Sequence, residues 1–144
     1  MAIERKARAT WTGDLRTGQG EFDLESSHAV EDEQVTFASR FEQPGGKTSP
    51  EELIAAAHAA CFSMALSHGL AQAGHAPEQL TTSAESTFVP GTGITTMALT
   101  VEGRVPGLDE DGFNQAAQTA KENCPVSSAL KGNVEITLDA RLAP

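Results

Sequence analysis

Basic residues are scarce: ten lysines and arginines stand against twenty aspartates and glutamates, for a net charge of −10. No cluster of Lys or Arg stands out. That removes the electrostatic footprint of a nucleic-acid binder and the polybasic segment that would hold an anionic membrane surface. Cysteine is scarcer still. Cys61 and Cys124 are too few for a disulfide-stapled secreted scaffold, and they lack the paired spacing of a zinc ribbon. In a reducing compartment two such residues are either inert core groups or redox groups. The opening MAIERKARATW carries charge but no apolar segment after it, so no signal peptide is visible and a cytoplasmic location is the expectation. The glycine-rich QPGGKT misses the strict spacing of a phosphate-binding loop. Repeats and low-complexity segments are absent. With 144 residues the chain is long enough to bury a core as one domain, residues 1–144.

What the sequence has instead is one long apolar stretch, Ser49–Ala73 (SPEELIAAAHAACFSMALSHGLAQA). Ser49 suits an N-cap, Pro50 the first helical position, and Glu52 completes an S-x-x-E capping box. Gly74 is placed to end the helix as its C′ residue. Such a helix is roughly 35 Å long. From Leu53 to Leu66 only His58 and Ser63 are clearly polar, as in a helix buried on most faces. Its alanines would let another backbone approach closely. The uninterrupted apolar run of about 14 residues is short for a bilayer span, so a core helix, with no membrane partner, is expected. One domain offers limited sheet area to cover it, which is a reason to expect a second subunit.

Around this helix the chain alternates short elements. Arg8–Thr12 and Gln19–Glu25 read as strands, Gln34–Phe41 as a third, and Thr81–Val89 with Ile94–Val105 as a hairpin around PGTG. Asp109–Asn123 has helical spacing, with Phe113, Ala116, Ala117 and Ala120 on one stripe and acids at its N-terminus. Pro125–Leu130 offers one or two further helical turns. Asn133–Leu142 alternates apolar and polar residues as a strand. The expected order is β-β-β-α-β-β-α-β, an α+β fold with mainly antiparallel pairing.

Cys61 sits in the middle of the long helix, about three turns from its N-terminus and so beyond the reach of its dipole. Its apolar neighbours would raise its pKa and keep it a neutral thiol, so alone it reads as an inert core residue. A reactive thiolate there requires a cation from elsewhere in the fold. Cys124, in N-C-P-V-S, is placed to be the N-cap of a short helix whose amides would stabilise negative charge on sulfur; a helix-ending cysteine without a role is the equal alternative. His58 and Cys61 share a helix face at i, i+3, but no second ligand pair lies near them, which argues against metal. Glu51 lies ten residues before Cys61, about 15 Å along the axis, so the two cannot meet within one helix. Two copies packed antiparallel about a two-fold axis would bring the Glu51 end of one towards the Cys61 region of the other.

The stretch TSPEELIAAAHAACFSMALS, the later NCPVS and the opening A-x-W-x-GDL-x-x-G-x-G closely resemble the OsmC/Ohr family of organic hydroperoxide reductases, and most of all its OsmC (osmotically induced protein C) branch. The likeness runs essentially the full length. It implies an α+β thiol peroxidase of the osmotic and oxidative stress response, built as an intertwined homodimer with curved antiparallel sheets around long central helices. By the resemblance Cys61 is the peroxidatic cysteine, Cys124 the resolving one and Glu51 the helix-start glutamate. The family's arginine matches Arg40 in ASRFE, with Arg16 the alternative position. Arg40 would hold Cys61 as a thiolate, and Glu51, from the partner chain, would orient the guanidinium. The substrate would be an organic hydroperoxide and the reductant an external dithiol or lipoylated protein, with no resident cofactor or metal. Two other readings stand beside this one: a non-catalytic thiol redox sensor, and a dimer that binds an apolar ligand.

Overall fold

The computed structural model describes all residues from Met1 to Pro144. Two compact units make up the chain, Met1–Leu53 and Ile54–Pro144.

The first unit holds an antiparallel sheet in the order β1 (Arg8–Thr12), β2 (Gln19–Asp23), β3 (Glu33–Val35). Trp11 pairs with Gly20 across β1 and β2, and its indole N–H donates to the carbonyls of Gly13 and Asp14 at 3.0 and 3.2 Å. β3 is shorter than the expected strand Gln34–Phe41. After Val35 the chain turns into a short helix, α1 (Phe37–Phe41). The cause is local. Thr36 is the N-cap: its hydroxyl accepts from the Ser39 amide at 3.1 Å, while Ser39 Oγ accepts from the Thr36 amide at 2.9 Å. That reciprocal capping box outweighs the alternating pattern that reads as strand.

The long helix α2 (Pro50–Gln72) starts and stops within a residue of expectation. The Ser49 hydroxyl accepts from the Glu52 amide at 3.2 Å. The Glu52 carboxylate does not close the box; it takes the Thr48 hydroxyl at 2.6 Å instead. At the far end Gly74, at φ +85°, permits a left-handed turn in which the His75 amide donates to Leu70 O and the Gly74 amide to Ala71 O, the Schellman arrangement.

In the second unit, β4 (Gln79–Val89) and β5 (Gly93–Arg104) form an antiparallel hairpin. β6 (Glu135–Leu142) joins β5 in parallel, so the sheet is mixed. Parallel neighbours require a crossover, and α3 (Glu110–Asn123) with α4 (Pro125–Leu130) supply it. The core collects Phe62, Leu66 and Leu70 of α2, Leu99 and Val101 of β5, Phe113, Ala117 and Ala120 of α3, Ala140 of β6, and Cys124. Gly103 is needed at its place in β5, because a β-carbon there would lie 2.5 Å from the ring of the fully buried Phe113.

α2 is apolar all round, as expected, but within the chain it is buried along one stripe only. Ala56, Ala57 and Ala60 are exposed, as are Leu53 at 38% and Met64 at 74%. Taken over 23 residues, with a best-window mean hydropathy of 1.4, the helix is also long and apolar enough to cross a membrane, so the shortness of its apolar run excludes nothing. Its Phe62–Leu66–Leu70 stripe is packed into a protein core.

Candidate active site

The first unit contributes an ion pair. Arg40 occupies the last turn of α1 and Glu51 the first turn of α2, where the helix dipole favours a carboxylate. Arg40 Nε and Nη2 donate to Glu51 Oε1 at 3.0 and 2.8 Å. The two residues that the resemblance assigned to different chains are therefore paired within one chain. The contact also differs from a two-oxygen fork: both bonds land on one oxygen. Oε2 is buried without a hydrogen-bond partner in the chain. Glu51 is 6% exposed, whereas the Arg40 side chain keeps 36% of its surface open. The guanidinium also lies 5.5 Å from the centre of the Phe41 ring. Phe41 in turn stacks on Phe37. Arg16, the alternative arginine, sits over Phe37 at 5.1 Å; the Glu51 carboxylate pairs with Arg40.

The second unit brings the cysteines together. Cys61 projects half-buried from the middle of α2, and Cys124 is fully buried at the junction of α3 and α4. Both are free thiols, and each acts on the ionisation of the other. Cys124 serves two helices at once. Its amide donates to Ala120 O at 2.8 Å to close α3, and its extended backbone opens α4 with Pro125 next. A helix stop followed by proline is what forces this corner. The Cys124 sulfur makes no capping hydrogen bond of good geometry, but the amides of the first α4 turn still act on it.

The two thiols are unlike. Burial pushes the Cys61 thiol up, the Val126 amide works against that, and the contact with Cys124 adds to the rise. For Cys124 burial also pushes upward, but it is outweighed by the Ser127 amide, the Cys61 thiol, the Ser127 hydroxyl and the Val126 amide, so this thiol lies below its ordinary range. Within the unit Cys61 is thus held neutral and Cys124 ionises more easily. The missing ingredient for a Cys61 thiolate is positive charge, as its apolar setting foretold.

One neighbour escaped the sequence reading. His58, on the face of α2 shared with Cys61, does not gather metal ligands. It is fully buried, and its Nε2 lies 2.7 Å from Ser127 Oγ on α4. A histidine inside an alanine-rich run was the only signal for it.

Known proteins resemble this chain in sequence and in fold. The family model described as OsmC-like protein matches residues 43–139. The chain is 46% identical over 145 residues to Peroxiredoxin OsmC of Escherichia coli (strain K12), covering 99% of each sequence. It is 34% identical over 100 residues to an organic hydroperoxide resistance protein of Xanthomonas axonopodis pv. citri, covering 65% of this chain and 67% of that one. Among solved structures, an organic hydroperoxide resistance protein OsmC from Legionella pneumophila superposes with a TM-score of 0.71 at 27% identity, over 98% of this chain and 99% of that one. An α+β fold with one long apolar helix, a family model that matches residues 43–139 and a 46% identical OsmC relative along 99% of the chain place this protein in the OsmC-like family.

Proposed function

We propose that the protein is a thiol peroxidase that reduces organic hydroperoxides to alcohols. The observation that carries the reading is the meeting of two free, unequal thiols, Cys61 and Cys124, across α2 and α4 in an otherwise apolar core. The peroxide-reducing relatives support it. Neutral buried cysteine needs a cation to become a nucleophile, and the Arg40–Glu51 pair is the built source of one.

The pair and the thiols come together in a homodimer. The exposed apolar face of α2 asks for a cover, and a second α2 packed antiparallel about a two-fold axis supplies it. In that arrangement the Arg40–Glu51 pair of one chain approaches Cys61 of the other. Glu51 fixes the guanidinium, which stabilises the thiolate and then the charge that develops on the leaving oxygen. Cys61 attacks the outer oxygen of ROOH. The O–O bond breaks, the alcohol leaves with a proton, and Cys61 becomes a sulfenic acid. Cys124 condenses with it to give a disulfide and water, and an external dithiol, free or protein-borne as lipoyl, restores both thiols. No resident cofactor takes part. The apolar surroundings of Cys61 favour an organic over an inorganic peroxide and keep water from the sulfenic acid. The absence of basic clusters suits a freely diffusing protein of the cytoplasm.

Mass spectrometry after one equivalent of an organic hydroperoxide tests the sequence of steps. The wild type is expected to lose two hydrogens as a disulfide within one chain. Cys124→Ser is expected to stop at a sulfenic acid that a dione reagent traps, and to lose sustained turnover with the dithiol. A Cys124→Ser protein that turns over like the wild type would remove Cys124 from the mechanism.

A further inference from the structure

The peroxidase cycle gives His58 no task, yet its position is costly. It is fully buried, its Nε2 is 2.7 Å from Ser127 Oγ, and its Nδ1 has no partner in the chain. Burial also pushes its pKa down, so the ring stays neutral. A neutral imidazole carries one proton, and the choice of nitrogen decides what Ser127 does. Buried N–H groups without an acceptor are rarer than buried acceptors without a donor. That favours the proton on Nε2, donated to Ser127 Oγ, with Nδ1 left as the bare nitrogen. Ser127 has a single hydroxyl proton of its own. Once its oxygen accepts from His58, that proton is available for Cys124, which is the N-cap of α4 while Ser127 is its third residue, the two positions whose side chains come together across a first helical turn.

We propose that His58 is a positioning residue for the resolving step: it commits the Ser127 hydroxyl to donate to the Cys124 sulfur, so that the resolving sulfur is held ready for attack on Cys61. This deepens the peroxidase reading and rests on it for its place in the cycle. The step balances without a further reagent. The Cys124 thiolate attacks the sulfenic sulfur of Cys61, the S–S bond forms as the S–O bond breaks, and the departing hydroxide takes up the proton that Cys124 released, leaving water. Cys124 is oxidised and the Cys61 sulfur reduced. The titratable group acting directly on Cys124 is Cys61 of α2; the other influences are burial, the Ser127 hydroxyl and the amides of α4, with no carboxylate, lysine or arginine among them. A change at His58 therefore reads out through Ser127.

The test is the ultraviolet titration of the Cys124 thiolate in a Cys61→Ser background, with His58 intact, as His58→Leu and as His58→Gln. Loss of one such hydrogen bond is expected to weaken the acidity of Cys124 by about tenfold in His58→Leu. His58→Gln, whose amide N–H stands in for Nε2, is expected to restore most of it. With Cys61 present, trapping of the sulfenic acid is expected to show a lifetime about threefold longer in His58→Leu, because the tenfold loss of thiolate is offset in part by the greater nucleophilicity of the less acidic thiol. The rate at which Cys61 is first oxidised stays unchanged. Identical titrations for His58 and His58→Leu, or a His58→Gln protein that behaves like His58→Leu, would overturn the proposal. Should His58→Leu fail to fold, Ser127→Ala removes the same hydroxyl from Cys124, and a Cys124 titration unchanged in Ser127→Ala would overturn the proposal. Failure of the wild type to form the disulfide would sink the peroxidase reading by itself, whereas the titration decides the coupling of His58 to Cys124.

Discussion

Cys61→Ser is expected to abolish peroxide reduction, with kcat/KM falling on the order of a thousandfold or more. A serine hydroxyl in this apolar setting has no accessible anion at neutral pH, and oxygen cannot form the sulfenic intermediate that the second thiol resolves. The loss is expected without loss of fold. Cys61 is half-buried and packs against the edge of the core, so exchanging sulfur for oxygen there changes stability by less than about 1 kcal/mol. Circular dichroism and thermal melting of the variant check that half of the statement. A variant that keeps wild-type turnover would move the chemistry to Cys124, which is the easier of the two to ionise within its own unit.

Arg40→Ala is expected to lower kcat/KM by about 100- to 1,000-fold, the usual effect of removing one preorganised donor from developing charge. The loss should depend on pH in a defined direction. Without a cation, the burial that pushes the Cys61 thiol up is opposed only by the Val126 amide, which it outweighs. The thiolate fraction then rises only at alkaline pH, and activity recovers there, while the wild type reaches its plateau at lower pH. Arg40→Lys restores the charge but cannot hold both nitrogens on Glu51 Oε1 as the guanidinium does through Nε and Nη2, so only partial recovery is expected. A mixed dimer of Cys61→Ser with Arg40→Ala chains separates the two ways of supplying the arginine. If Arg40 acts across the dimer, one of the two sites in the mixed species has both groups and activity returns. If it acts within its own chain, both sites stay inactive.

The elements that were legible in the sequence are those whose signals are local. Ser49, Pro50 and Gly74 bound α2 to within a residue because capping and chain reversal are decided by a few neighbouring groups. The stripe Phe113–Ala117–Ala120 and the alternation through Met97, Leu99 and Val101 marked buried faces that are buried. α1 was hidden by a contest between two local signals. Alternation from Gln34 to Phe41 reads as strand, and the Thr36–Ser39 capping box wins; a serine at the third helical position is a weaker flag than the usual glutamate or glutamine. The parallel pairing of β6 with β5 was not legible, because strand neighbours across a crossover leave no mark on either strand.

The site divides along the same line. A cation-free, apolar setting for Cys61 was readable from Ala57, Ala60 and Ala65, and the raised thiol follows from it. The proximity of Cys61 to Cys124 depends on how α2, α3 and α4 pack, which spacing alone does not encode; family likeness supplied it in advance. Arg40 and Glu51 were named as a pair, but their bond within one chain arises from the turn between α1 and α2. His58 illustrates the remaining gap. Its partner is 69 positions away, and nothing near it in the sequence says that it faces a serine rather than a metal.

The most direct test of the account is steady-state consumption of an organic hydroperoxide by the wild-type protein with a dithiol reductant, with hydrogen peroxide run alongside. Many turnovers per chain and a higher kcat/KM for the organic substrate are expected. Oxidation that halts after one equivalent per chain, or no oxidation at all, would contradict it and leave a redox sensor or an apolar-ligand-binding dimer in its place.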